Sequence, residues 1–300
     1  MPPVSRQRAL SAAAAAVIIW GVSFIATKIA LREAEPLVVI WIRFGVGVLV
    51  LGLIVAVRRE FARPSVREIG QYVLLGLVGI TVHQWLQSTG LTTAQASTTA
   101  WVVSASPIFI ALLAWAFLHE PMERGRVLGI LIAASGVLLV VSRGNIPSLV
   151  TGSFYAPGDP LILCSAVTWA LFSVLSRKAL AHHFPCRLIF FVMLSGWILT
   201  TVLMVLTGRT ISGMSLSRDA FVAMLFLGVF CSGIAYILWF DALHHLPAPQ
   251  VGSLLFIEPL VTVGAAALVL GETITMSSLL GGGIVLAGVW LVTRQRHRMA

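Results

Sequence analysis

Two ionisable side chains stand in stretches that should carry none. Glu258 lies in the run LLFIEPLVTV, residues 254–263, and Arg43 in LVVIWIRFGVGVLVL, residues 37–51. A charge in a membrane-like interior costs at least about 2.5 kcal/mol on insertion scales, so a retained one points to a function or a partner. Glu258 has three readings: a proton site, a site for a substrate ammonium, or a structural acid held by Arg43. Glu258 and Arg43 are thus a candidate coupling or structural pair. His83 titrates near neutral pH in its ordinary state. It either binds substrate or makes an interhelical hydrogen bond. It shares a helix face with Gln87, four residues on, and lies next to Gln84.

Aromatic and hydroxyl side chains recur at helical spacing on the same stretches. The pairs are Trp20 and Phe24, Trp101 and Ser104, Trp169 and Ser173, and Tyr236 and Phe240. An indole alone is more often core or interfacial belt. Trp20, Trp101 and Trp169 stand apart because they fall well inside their runs. A cavity with aromatic walls and a few polar groups suits amphipathic molecules. The expected substrate-binding set is Trp20, Phe24, His83, Gln87, Trp101, Ser104, Trp169, Ser173, Tyr236 and Glu258. Pro107 and Pro259 each free the carbonyl four residues earlier, at Val103 and Leu255. Freed carbonyls in a membrane need protein or water, so both prolines are expected to act as hinges beside a cavity.

Enzymatic patterns are missing. There is no HExxH, no GxGD and no P-loop, and an isolated GVSF has no evident partner. No catalysis is expected, and ATP is not a direct energy source. Cys164, Cys186 and Cys231 are odd in number and widely spaced without a CxxC, which excludes a disulfide framework and a zinc site. The adjacent pairs His182/His183 and His244/His245 point different ways on a helix. No metal and no cofactor is expected.

The elements that position these residues follow from composition. The chain has 300 residues, 58% hydrophobic and 10% charged, with mean hydropathy +0.98. Soluble chains carry about 25% charge. The net charge of +9 sits in short clusters between apolar runs, as at a membrane surface rather than on nucleic acid. A span needs about 20 apolar residues. Ten are expected, at roughly 10–31, 37–57, 69–89, 97–118, 126–142, 160–178, 187–206, 219–240, 249–269 and 278–293. The start imitates a signal peptide, but its apolar run continues to Lys28, long enough to span. With the N-terminus inside, fourteen of the twenty Lys and Arg face the cytoplasm, and only Lys28, Arg32, Arg143, Arg209 and Arg218 lie outside. Both termini are therefore expected in the cytoplasm.

The second half repeats the first. A shift of 152 brings Gly76 onto Gly228, Pro107 onto Pro259, Glu120 onto Glu272, Gly129 onto Gly281 and Gly136 onto Gly288. Near the start a shift of 149 brings Trp20 onto Trp169 and Pro36 onto Pro185. Each unit has five spans, an odd number, so tandem copies enter the membrane with opposite orientation. The expected fold is an all-α membrane protein of ten transmembrane helices in two inverted five-helix repeats. Residues 1–145 form the first repeat, 146–158 the linker and 159–300 the second. Glu120 and Glu272 end their spans at the unfavourable end of the helix dipole, so each calls for a donor nearby. The glycine pairs permit close helix contact, either internally or at a dimer face. Monomer and homodimer stay open.

WGVSFIATK (20–28), Pro36 and RF (43–44) resemble the opening helices of the EamA family of drug/metabolite transporters. SPIFIALLAWAFLHE (106–120) and EPLVTVGAAALVLGE (258–272) resemble its paired fourth and ninth helices. GILIAASGVLLV and GGGIVLAGVWLV resemble its closing helices. The resemblance covers nearly the whole chain. It implies a ten-helix metabolite exporter of the bacterial inner membrane, and within the family the YddG-type amino-acid exporters. The second unit departs from the pattern: Ala170 follows Trp169, and Val192 replaces Arg43. The function expected is secondary or facilitative export of small metabolites, foremost aromatic or other neutral amino acids, by alternating access, with the proton as candidate coupling ion. The rivals are a multidrug or cationic-compound exporter and a channel-like pore.

Overall fold

The computed structural model describes residues 6–118, 124–145, 156–180, 184–211, 214–246, 251 and 253–294. Glu120, His182, His183 and most of the expected linker lie outside the described residues. Among the described residues the regular elements are all helical. Apolar surroundings dictate this, because a helix satisfies its backbone polar groups internally. Among the described residues seven helices are long and apolar enough to cross a membrane: Arg6–Ala30, Pro36–Val57, Val66–Leu91, Ala96–Phe117, Asp159–Ser176, Pro185–Leu206 and Arg218–Ala242. Three further apolar helices, Val127–Val141, Leu254–Leu270 and Met276–Val292, are shorter. This is a multi-pass membrane protein.

In chain order the α-helices are α1 (Arg6–Ala30), α2 (Pro36–Val57), α3 (Val66–Gly76), α4 (His83–Leu91), α5 (Ala96–Val103), α6 (Ser106–Leu118), α7 (Arg124–Val141), α8 (Asp159–Leu180), α9 (Pro185–Leu206), α10 (Arg218–Phe226), α11 (Ala235–His245), α12 (Ile257–Leu270) and α13 (Met276–Arg294). Several expected spans are broken. A π-helical stretch, Leu77–Val82, joins α3 to α4, and another, Leu227–Ile234, joins α10 to α11. Residues 104–105 form a turn between α5 and α6, and a 3-10 turn, Ser253–Phe256, precedes α12. The sequence cues gave the proline positions but not the π turns, which depend on tertiary crowding. A side chain at Gly79 would meet the Phe172 ring at 2.2 Å, so α8 presses on the first π stretch.

The two halves interleave. Helix α1 packs on α10, α11 and α12, helix α2 on α9 and the second π stretch, and α4 and α6 on α8. Helices α7 and α13 run together along their glycines. A Cβ on Gly136 would lie 2.6 Å from the Gly281 oxygen, and one on Gly288 would lie 2.4 Å from the Ala133 nitrogen. The glycine pairs therefore serve a contact inside the chain. Helix α2 also carries Ile40, Phe44 and Leu51 into the largest apolar cluster, with Ile189 and Met193 of α9.

Candidate substrate cavity

Breaks in helices leave polar backbone groups that must find partners. Proline at 107 strips the Val103 carbonyl of its helical donor, and the Ser106 hydroxyl donates to that carbonyl at 2.6 Å. The second π stretch, Leu227–Ile234, carries the Cys231 carbonyl. The Trp20 indole N–H donates to it at 3.1 Å, fixing the ring against Tyr236 and Trp239, each 5.4 Å away between centroids.

These breaks surround a cavity of about 120 Å³. Trp20, Phe24, His83, Gln87, Ser104, Trp169, Tyr236 and Glu258 all line it, together with Arg43 and Pro107. Both halves of the chain thus contribute. The lining also includes Ser23, Gln84, Ser106, Ile110 and the Leu255–Phe256 pair. The apolar members among these carry no signal distinguishing them from ordinary core. The polar members did leave a trace: Ser23 lies three residues after Trp20, Gln84 next to His83, and Ser106 152 residues before Glu258.

Two expected members lie elsewhere. Trp101 is buried over Gly282, where a Cβ would meet its ring at 2.4 Å, and its indole N–H donates to the Ser278 hydroxyl at 3.1 Å. It anchors α5 to α13. The Ser173 hydroxyl donates back to the Trp169 carbonyl at 2.8 Å within its own helix, and Ser173 is not in the cavity wall. Pro259 is buried and also outside the lining.

The expected pairing of Glu258 with Arg43 is not what the structure contains. The Arg43 Nε–H donates to the Ser232 hydroxyl at 2.9 Å and its Nη1–H to the Gln84 carbonyl oxygen at 3.2 Å. Its guanidinium carbon lies 5.2 Å from the Phe44 ring centre. Arg43 is only 5% exposed, yet its hydrogen-bond partners are neutral. Among the described residues, the Glu258 carboxylate, which also lines the cavity, makes no hydrogen bond and no ion pair. The physical reason is local. Neutral groups on α4 and the second π stretch take up the guanidinium before the carboxylate on α12 can.

His83 has a structural partner, since its Nδ1–H donates to the Ser165 carbonyl at 2.9 Å. A carbonyl only accepts, so the proton is on Nδ1. The ring packs beside Trp169 at 5.2 Å, which places both on the same wall.

Polar ties join elements at both ends of the bundle. At one end Arg58, just past α2, forms a bidentate pair with Asp241 of α11 at 2.7 and 3.0 Å. The Asp241 carboxylate holds the guanidinium above its ordinary pKa. Arg187 reaches Glu68 at 3.3 Å. At the other end Glu272 follows Gly271, whose φ of +65° closes α12. Its carboxylate accepts from the Ala96 N–H at 2.8 Å, the Ser97 N–H at 3.1 Å and the Ser97 hydroxyl at 2.7 Å. The donors Glu272 calls for are thus the open N–H groups at the start of α5, where an anion is favoured. Lys28 does not extend outward; its ammonium donates to the Ala94 carbonyl at 2.5 Å. Arg209 pairs with Glu35 at this end.

Glu33 accepts from the Ser217 N–H and hydroxyl, at 2.7 and 2.6 Å, at the N-cap of α10. These bonds hold its carboxyl below the usual range. A depressed folded value means that the tie is present at neutral pH and is lost as pH falls through that value. Hydrogen exchange at the Ser217 amide is therefore expected to accelerate, beyond its intrinsic pH trend, only on acidification below the ordinary glutamate range. Glu33→Gln should show no such step.

A model of the EamA-like transporter family matches residues 7–142 and 156–294. An uncharacterized transporter of Archaeoglobus fulgidus is 27% identical over 282 residues, 94% of this chain and 96% of that protein. A probable amino-acid metabolite efflux pump of Salmonella typhimurium is 25% identical, covering 92% of this chain and 91% of its own length. A probable terminal-alkyne amino-acid exporter of Streptantibioticus cattleyicolor is 26% identical over 78% of this chain and 76% of its own. A solved crystal structure superposes with TM-score 0.68 at 18% identity, covering 98% of this chain and 99% of that one.

Proposed function

Because the chain belongs to the EamA-like transporter family, we propose that it is a secondary or facilitative exporter of neutral amino acids, aromatic ones foremost, working by alternating access. The observation that carries this reading is the cavity itself. Trp20, Phe24, Trp169 and Tyr236 give it aromatic walls, and it holds a carboxylate and a guanidinium that do not neutralise each other. The names of two relatives, which include amino-acid export and amino-acid metabolite efflux, point the same way.

Ten helices in two inverted five-helix units fit the seven long and three shorter apolar helices. Support for the repeat comes from the two π stretches and from the breaks ahead of Pro107 and Pro259, which recur about 150 residues apart. In such a pair each half adopts in turn the shape of the other. The Arg58–Asp241 and Glu272–Ser97 ties lie at opposite ends of the bundle and are read as alternating gates. The cytoplasmic termini follow from the distribution of Lys and Arg, and a bacterial inner membrane from the resemblance to metabolite exporters.

Counterflow in proteoliposomes tests the reading. Uptake of labelled L-phenylalanine should saturate and be accelerated by unlabelled L-phenylalanine inside. A carrier has this property and an open pore does not. Uptake that is linear with concentration and indifferent to internal substrate would favour the channel, and counterflow of cationic drugs alone would favour the multidrug reading.

A further inference from the structure

Resting on the amino-acid reading above, we infer that Arg43 and Glu258 form a two-point clamp that selects zwitterions and fixes their orientation. The substrate carboxylate lies against Arg43, its ammonium against Glu258, and its side chain against the aromatic wall of Trp20 and Trp169.

A buried guanidinium needs an anion, because neutral partners return only part of its lost hydration. Arg43 is 5% exposed and donates to Ser232 and Gln84, both neutral. Those bonds engage Nε and Nη1 and hold the head group in place, while Nη2 makes no hydrogen bond among the described residues. Glu258 presents the opposite case, a carboxylate in the same cavity that makes no hydrogen bond or ion pair among the described residues. Its position in the fold strengthens the point. Ser106, its counterpart 152 residues earlier, spends its hydroxyl on the carbonyl freed by proline, whereas Glu258 leaves its carboxylate in the cavity. Two opposite charges held apart in one cavity complement a ligand carrying both. A purely cationic ligand would leave Arg43 unmatched, and a purely anionic one would leave Glu258 unmatched.

Four ligands that differ by one group each separate the contributions. L-Phenylalanine carries both charges, its methyl ester and phenylethylamine lack the carboxylate, and 3-phenylpropionate lacks the ammonium. In counterflow of labelled L-phenylalanine through the wild-type protein, each analogue should compete at least about 10-fold less well than unlabelled L-phenylalanine. Losing a charge-assisted partner from a built site has an effect of this order. Glu258→Gln should erase the preference over 3-phenylpropionate and keep the preference over the ester and phenylethylamine. Arg43→Gln should do the reverse.

The wild-type comparison needs no variant, so a misfolded substitution does not protect the inference. Analogues competing as well as L-phenylalanine would overturn the clamp while leaving the amino-acid reading intact. So would either variant losing both preferences together. No counterflow of L-phenylalanine or of any other neutral amino acid would overturn the reading itself and the clamp with it.

Discussion

Gly288→Leu should remove the folded protein from the membrane, whereas Gly283→Leu, on the same helix, should be tolerated. The two sites differ in what a new side chain meets. At Gly288 a Cβ would lie 2.4 Å from the Ala133 nitrogen and 2.6 Å from the Gly129 oxygen. Those are backbone atoms, so no rotamer relieves the clash, and α7 and α13 must separate. Separation also opens the matching contact at Gly136, where a Cβ would be 2.6 Å from the Gly281 oxygen. In lipid no hydrophobic force draws helices together, and close backbone approach is a main source of their attraction. At Gly283 nothing lies within 4 Å, and the position is exposed. The measurement is the monodisperse fraction after detergent extraction. Near-complete loss is expected for Gly288→Leu, with Gly283→Leu close to wild type. Equal yields would show that the α7–α13 contact is not what holds this end of the bundle.

That contact marks a limit of reading the sequence. The seven-residue spacing of Gly129/Gly136 and Gly281/Gly288 announced a close helix contact but left its partner open. Spacing describes one face of one helix, and only the three-dimensional arrangement says which helix meets it. Trp101 shows the same limit. Its depth within its span suggested a cavity wall, but depth along the membrane normal does not say which way a side chain points. Gly282 opens a seat for the ring on α13, and Ser278 supplies its hydrogen-bond acceptor. Glu258 and Pro259 were legible for the opposite reason. A carboxylate in an apolar run and a proline with a twin at Pro107 are costly wherever they point, so each had to mean something. What the sequence could not resolve was the partner of Arg43. Choosing Gln84 and Ser232 over Glu258 depends on a π turn, and π turns leave little trace in a pattern of apolar residues.

Glu258→Gln should abolish the pH dependence of amino-acid exchange. If Glu258 holds the substrate ammonium as proposed, a proton and that ammonium compete for the same carboxylate and each excludes the other. In an exporter this exclusion is useful, since a proton entering in one direction releases the amine in the other. The titratable groups that share the cavity with Glu258 are Arg43, His83 and Tyr236. His83 has its Nδ1–H committed to the Ser165 carbonyl. Wild-type protein is therefore expected to show an apparent KM for L-phenylalanine that changes at least several-fold across pH 5 to 8. In Glu258→Gln the profile should be flat, with weaker affinity throughout because the ammonium has lost its carboxylate. His83→Asn serves as the contrasting variant, since it removes the cavity's imidazole, a side chain whose ordinary titration falls in this range. A profile that stays steep in Glu258→Gln and flattens in His83→Asn would transfer the proton to the histidine. A wild-type profile that is flat would make Glu258 a binding group alone and the protein a facilitator.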